Sequence, residues 1–589
     1  MKARPNSAAA GNGCLAFLES RVGTILVVVL VPLLLCLGLA LPPISLPSRI
    51  MSIGYVNFTA SGAEAKDPDG AIVRIPQGAV AKSGAIKINP TPSQAFSSSA
   101  AAKSLPAYLE VKSPYYGLAL QGERPKTVEL LIPIPNDSDP TATLDLWAQY
   151  NQAWFKIPFV LNQQDNQIDS VLNFTPDGVV VVQTKAQTPV VGAMLQSRNA
   201  PPDQASQVIS ELNPLGLHLA DEGGVAGDVL ALPETSAASP YSLVPTVMNS
   251  DETGVRTDLT ENMLADSKLR TQHITTLVDL AVQKLYMGYN IQYDGLTTAD
   301  QEGFTAFIKE LAQQLHAQNK ILSVSLPAPT PISETEWDTA GYDWALIGRY
   351  ADEVKIPMLT DTKAYEGDPP LVDQYLLWAT EQIDRNKLQV VVSTQGRDET
   401  TAGSTPVRLG DALKLLGPVN VPQQVAPGAQ VILDLPKLRD MGGIQHHDPS
   451  GTFYFNYKDD KGTAHTVWLE NADSLSKKTA LLLKYNLRGI ALQNIEGDAA
   501  PDPNIWTVLQ QYRALQAASF TSKLSVVWLV DGNALGKVST NDPKLAMTVP
   551  NVTGQHTIDI ALSLDEAQSW QAAGDQVVVN VLQPTPTPT

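Results

Sequence analysis

Two periodicities alternate over roughly three hundred residues of this chain, and that alternation restricts its fold more than any other feature. Asp266 is placed to cap a helix striped by Leu269, Ile274, Leu277, Val278, Ala281 and Leu285, and a strand follows over Tyr289 to Asp294. Thr298-x-x-Gln301 then makes a capping box for a second helix, striped by Phe304, Phe307, Ile308, Leu311 and Leu315, which leads to a strand over 321–326. Strand, helix, strand at this spacing is a βα unit and implies a parallel sheet. Such units continue to about residue 516, enough chain for a (β/α)8 barrel with a modest insertion. On pattern alone, a doubly wound open sheet is the alternative.

The flanks read differently. Over 50–195, short alternating runs such as Ala71 to Ile75, Thr127 to Ile132 and Gly178 to Val182 are broken by Pro, Gly and Asn, which predicts a β-sandwich. A polar stretch with Pro201-Pro202 predicts a linker over 196–211, ahead of a barrel over 212–516. Alternation returns over 520–582, as expected of a small immunoglobulin-like sandwich, and 583–589 is a stiff Pro/Thr linker. The fold expected is therefore multidomain, an α/β barrel between two β-sandwiches.

Thr24 to Leu41 carries no charge, close to the length a helix needs to cross a bilayer. Lys2, Arg4 and Arg21 precede the run and no basic residue follows it until Arg49, so a cytoplasmic tail over 1–23 and a retained anchor over 24–42 are expected. The bulk would then be extracytoplasmic on a single-pass cell-membrane protein; a cleaved signal peptide is the alternative. Cys14 and Cys36 are the only cysteines, so the part beyond the anchor has neither a disulfide nor a thiolate metal site. The formal net charge of -19 argues against nucleic acid as a partner.

In the strand Tyr289 to Asp294, a period of two puts Asn290, Gln292 and Asp294 on one face and Tyr289, Ile291 and Tyr293 on the other. Barrel interiors are apolar except near the C-terminal rim, so a polar inward face points to a site there. His446-His447-Asp448 invites a metal reading, but adjacent strand histidines point apart and Pro449-Ser450-Gly451 marks a turn, so neither metal nor cofactor is expected. Asn57, Asn173 and Asn551 begin Asn-x-Thr sequons.

The block from Pro245 through Leu264-Ala265-Asp266 to Gly288 to Leu296 resembles the segment of glycoside hydrolase family 18 that ends in Asp-x-x-Asp-x-Asp-x-Glu. Gly303 to Pro327, Tyr342 to Met358 and Val467 to Leu492 are similar to later segments, in the family's order, closest to the chitinase-like branch that includes spore-cortex and peptidoglycan-associated proteins. More weakly, Gly70 to Ala79 and Trp154 to Pro158 resemble the β-sandwich module of netrin receptors and ankyrins, which implies protein partners or a spacer.

The family resemblance implies substrate-assisted hydrolysis of N-acetylglucosamine polymers, in which the last Glu is the acid and the Asp two before it orients the N-acetyl group. Here the acid position falls on Asp294, the orienting position on Gln292, and the two earlier Asp positions on Asn290 and Met287. The family's Met-x-Tyr-Asp falls on Met358-Leu359-Thr360-Asp361, which loses the Tyr, and the Trp that floors the sugar subsite falls on Gln493. Asp294 is a methylene short, and Gln292 cannot carry the charge that stabilises an oxazolinium. The implied role is a non-catalytic binder of chitin- or peptidoglycan-type glycan, or a cell-wall scaffold. Two alternatives stand beside it: an active glycosidase using Asp294, and an interaction protein that binds no sugar. Asn290, Gln292 and Asp294 are expected to share one pocket with Thr360, Asp361 and Gln493.

Overall fold

The computed structural model describes residues 28–29, 31–40, 53–196, 202–229, 241–333, 336–495, 502–520, 523–564, 569–571 and 577–583. The tail over 1–23, much of the expected anchor, residues 197–201 of the expected linker and the Pro/Thr end from 584 lie outside the described residues. Val31–Ala40 is helical. Among the described residues, no helix is long and apolar enough to cross a membrane.

The chain forms two compact units, 1–90 with 116–131 and 172–177, and 91–115 with 132–171 and 178–589. The single sandwich expected over 50–195 is thus divided between them. In the first unit, Ala63–Lys66 lies antiparallel to Ile72–Ile75, which pairs in turn with Glu129, Leu130 and Leu131. Val73 and Ile75 are buried, while Arg74 between them reaches Glu64 and Glu129 at the surface. That alternation is what one buried face requires.

The second unit contains the barrel. Its strands are β1 (Val190–Met194), β2 (Glu211–Leu212, resuming at Leu217–Leu219), β3 (Ser242–Leu243, resuming at Thr246–Met248), β4 (Gly288–Gln292), β5 (Ile321–Ser325), β6 (Glu353–Pro357), β7 (Leu388–Ser393) and β8 (Gly489–Gln493). All neighbours are parallel, β8 pairs with β1, and β2 pairs with β3 in both of its halves, so the ring closes. Close approach at the start of β4 requires glycine, because a Cβ on Gly288 would lie 1.8 Å from the Ile321 carbonyl oxygen.

Helices α1 (Thr257–Ala265), α2 (Ser267–Gln283), α3 (Gln301–Ala317), α4 (Trp344–Tyr350), α5 (Leu371–Gln382), α6 (Ala472–Lys484) and α7 (Ile505–Arg513) follow the strands from β3 onward. Among the described residues, the connections after β1 and β2 contain no α-helix. In α3 the whole expected stripe is buried. Its N-terminal box is one residue earlier than expected, with Thr297 and Asp300 exchanging the two bonds. Asp266 caps α2 as expected, accepting from the Lys268 N–H. The stripe of α2 differs, because the helix stops at Gln283, Leu285 turns to a positive φ at the surface, and His273 takes an inward position.

Two boundaries differ from the sequence reading. β1 lies inside the range assigned to the sandwich and β2 begins in the assigned linker, because a five-residue apolar run such as Val-Val-Gly-Ala-Met suits either fold. Between β7 and α6 the chain also inserts a five-stranded sheet, ordered Gly403–Val407, Gly396–Thr400, Ala464–Leu469, Thr452–Lys458, Gln445–His447. From the same insertion, Gln424–Val425 joins Asn580 and Val581, and Gln430–Leu433 pairs with Leu545–Thr548. Leu433, Phe455 and Val467 share one core with Val526, Trp528 and Leu562, so the strands beyond 520 are completed by the insertion.

Candidate functional site

The C-terminal end of β4 is held from three sides. The Asp294 N–H donates to Asn249 Oδ1 at 2.9 Å, and Asn249 Nδ2 donates back to the Asp294 carbonyl at 2.9 Å. Tyr342 donates its hydroxyl to the Tyr293 carbonyl at 2.7 Å, and the Tyr293 ring runs parallel to Phe307. His273 Nδ1 bonds the Gly223 carbonyl at 3.1 Å, which fixes that nitrogen as the donor, so Nε2 accepts from the Tyr293 hydroxyl at 2.6 Å. Burial, opposed by that carbonyl bond, pushes the imidazole pKa down to about 4.

On the inward face, Gln292 Nε2 donates to Asp294 Oδ2 at 3.3 Å. Asn290 lies deeper and is fully buried. Its amide donates to Thr246 and Ser325 and its carbonyl accepts from Ser323 and Ser325, so every polar atom of the side chain is used within the barrel. Ser323 also accepts from Lys355, a fully buried ammonium that contacts Glu211 at 2.9 Å and Glu353 at 3.3 Å, while Arg488 reaches Glu353 from below. Burial opposes the Lys355 charge, but the two carboxylates outweigh it and hold its pKa above lysine's ordinary value. Asn290 is therefore one end of a charge-balanced internal network and is not exposed to a ligand.

The other expected residues lie at the ends of β6 and β8 on the same rim. Asp361 is exposed and caps a short 3-10 turn, accepting from the Lys363 N–H at 3.0 Å. Gln493, in register with Ser393 and Met194, turns Nε2 to Met194 Sδ at 3.6 Å. Met358 and Thr360 line a cavity of about 220 Å³ at the rim, with Ser393, Arg397, Glu470 and Lys478 among its other walls. Asn290, Gln292, Asp294, Asp361 and Gln493 are not in that lining. The structure thus joins Gln292 to Asp294 and Met358 to Thr360, without gathering all the expected residues into one pocket.

The inserted sheet supplies what the sequence reading missed. Tyr454 and Trp468 face each other across neighbouring strands, ring centroids 4.7 Å apart and both part-exposed. Glu399 accepts from Trp468 Nε1 at 2.6 Å and from Arg397 Nε at 3.0 Å, and the Arg397 guanidinium lies 5.3 Å from the Trp468 ring centre. Arg397 also donates to the Thr360 carbonyl, which ties this sheet to the end of β6. Period-two alternation through Thr452–Lys458 and Ala464–Leu469 puts these rings on one face, and that was the available signal. His446 and His447 diverge as expected, toward Asp473 at 2.8 Å and Glu366 at 3.1 Å, and join the insertion to α6 and to the loop after β6. Among the described residues, no group of three or more His, Cys, Asp or Glu side chains is arranged to hold a metal.

A closed parallel barrel with a polar C-terminal rim is the (β/α)8 layout in which sites sit at that rim, here extended by a β insertion with paired aromatics after the seventh strand. Residues 258–498 match the family model described as glycosyl hydrolases family 18, and this stretch is a family 18 domain. The chain is 26% identical over 243 residues to the uncharacterized glycosylase YvbX of Bacillus subtilis (strain 168), covering 40% of this chain and 64% of that protein. It is 24% identical over 278 residues to the cortical fragment-lytic enzyme of the same organism, covering 45% and 60%. The match thus spans less than two thirds of either relative. Among solved structures, the spore cortex-lytic enzyme SleL of Bacillus megaterium QM B1551 aligns with a TM-score of 0.44 at 17% identity, covering 58% of this chain and 78% of that one.

Proposed function

We propose that this chain binds N-acetylglucosamine-containing glycan, of chitin or peptidoglycan type, at the barrel rim, and that its barrel has lost family 18 hydrolysis. The observation that carries the proposal is the Gln292 to Asp294 contact. Where a hydrolase needs a carboxylate to orient the N-acetyl group beside a carboxylic acid, this chain has an amide. That amide donates its N–H to one oxygen of the Asp294 carboxyl group. Transition-state stabilisation goes with that change, whereas ground-state contacts do not depend on it. Binding is supported by the Tyr454 and Trp468 rings, since part-exposed aromatic faces suit the apolar faces of sugar rings, and these rings take over the platform role that Gln493 cannot fill.

The uncharged run before Leu41 supports a retained membrane anchor with the barrel outside the cytoplasm, and the strands over 50–195 then act as a spacer or partner-binding module. The binding test is incubation of the full chain with chitooligosaccharide or soluble peptidoglycan strands, following bound glycan and new reducing ends together. Bound glycan that weakens at least about tenfold in Trp468→Ala, with no new reducing ends, is expected. Absence of binding to both polymers would leave the interaction-protein alternative.

A further inference from the structure

His446 and His447 stand at two of the ties between the inserted sheet and the barrel, and both side chains are largely buried. His446 has a carboxylate at each ring nitrogen, Asp448 Oδ1 at 2.7 Å from Nδ1 and Asp473 Oδ2 at 2.8 Å from Nε2. A neutral imidazole has one N–H, so its other nitrogen would turn a lone pair toward a carboxylate. The trio therefore holds one proton more than a neutral ring between two carboxylates. Burial raises the Asp473 pKa, opposed by the His446 contact and by Lys477 of α6. The stabilisation at this contact is thus present at low pH and lost as pH rises.

His447 carries the junction to the aromatic platform. Its Nε2 lies 3.1 Å from Glu366 Oε1 and its Nδ1 2.8 Å from Ser450 Oγ, and its ring stands nearly perpendicular to Trp468 with centroids 6.0 Å apart. The Ser450 hydroxyl also bonds the Thr452 hydroxyl at 2.6 Å, so it can donate to a neutral ring or accept from a charged one without loss of a bond. A second proton turns the Glu366 contact into an ion pair and sets a cation against the Trp468 indole. The other charged groups at that indole, Arg397 and Glu399, are paired with each other. His465 keeps to Asp398 and Tyr457 within the insertion.

We propose that His446 and His447 form a proton-held clamp that positions the Tyr454 and Trp468 platform, so that the rim binds glycan more tightly at acidic than at alkaline pH. Both act as positioning residues, through the platform and not on the ligand. This regulation rests on the glycan-binding reading of the same rim. Imidazoles change charge between about pH 5 and 8, which sets the window.

Titration of the full chain across that window tests it, followed by the indole N–H resonance of Trp468, assigned through Trp468→Phe, and by affinity for chitotetraose and soluble peptidoglycan strands. The resonance should move with pH, and affinity should fall roughly tenfold from the acidic to the alkaline end. His446→Gln combined with His447→Gln should show the alkaline affinity at every pH, whereas a purely structural pair would weaken binding and keep the native pH profile. Should that variant fail to fold, the native titration decides. A resonance or an affinity that ignores pH overturns the clamp and leaves the glycan reading in place. Binding of neither glycan at any pH overturns that reading, and the indole titration then still decides the clamp.

Discussion

His273 shows at the scale of one residue how a buried titratable group supports the site without touching a ligand. Its neutral ring is required twice, as donor to the Gly223 carbonyl and as acceptor from the Tyr293 hydroxyl, one residue before Asp294. Its folded pKa, about 4, lies below the ordinary histidine value. The stability it contributes is therefore fully present above about pH 6.5 and lost as pH falls through 4. Denaturant unfolding of the native chain at pH 7 and 4.5 should differ by about 2 kcal/mol more than in His273→Gln. Equal pH dependence in the two proteins would show that His273 is not held neutral. The polar face of β4 was legible because a strand's period of two leaves no choice of side. The roles on that face were not, because Asn290 and Asp294 alternate identically in sequence, and only depth along the barrel axis separates a buried network from the rim.

Among elements, helices with an unbroken stripe were legible, as α3 demonstrates, whereas β1 was not. A strand buried on both faces lacks alternation, so nothing in its residues states which sheet it joins. The same ambiguity hid the attachment of the strands over 144–156 to the base of the barrel. Arg385, just before β7, donates to both Asp145 carboxylate oxygens and to the carbonyls of Ala142, Leu144 and Tyr485. Breaking a buried ion pair costs roughly 3–5 kcal/mol where nothing else compensates the remaining charge, and Lys156 Nζ, 3.7 Å from Asp145, keeps the cost here at the lower end of that range. Arg385→Met should lower unfolding stability by that amount in a urea titration. A loss under 1 kcal/mol would show that the pair is solvated in solution.

For the whole molecule, the insertion and the C-terminal strands share one core, which the sequence could not reveal because the strands that pair between them lie more than a hundred residues apart. Truncation after residue 520 strips the strands that cover Leu433, Phe455 and Val467. It should therefore melt the inserted sheet and remove the Tyr454 and Trp468 platform, seen as lost amide-exchange protection over 445–469. Retained protection would mean that the insertion folds alone. The central claim is that a rim carrying Gln292 and Asp294 binds without hydrolysing, and turnover of a fluorogenic N-acetylglucosamine oligomer tests it most directly. The native chain should show none above background, and Gln292→Asp with Asp294→Glu is the matched comparison at the same two positions. Turnover by the native chain at roughly 1 per second or faster, an ordinary enzymatic rate, would contradict the account and establish Asp294 as a working acid.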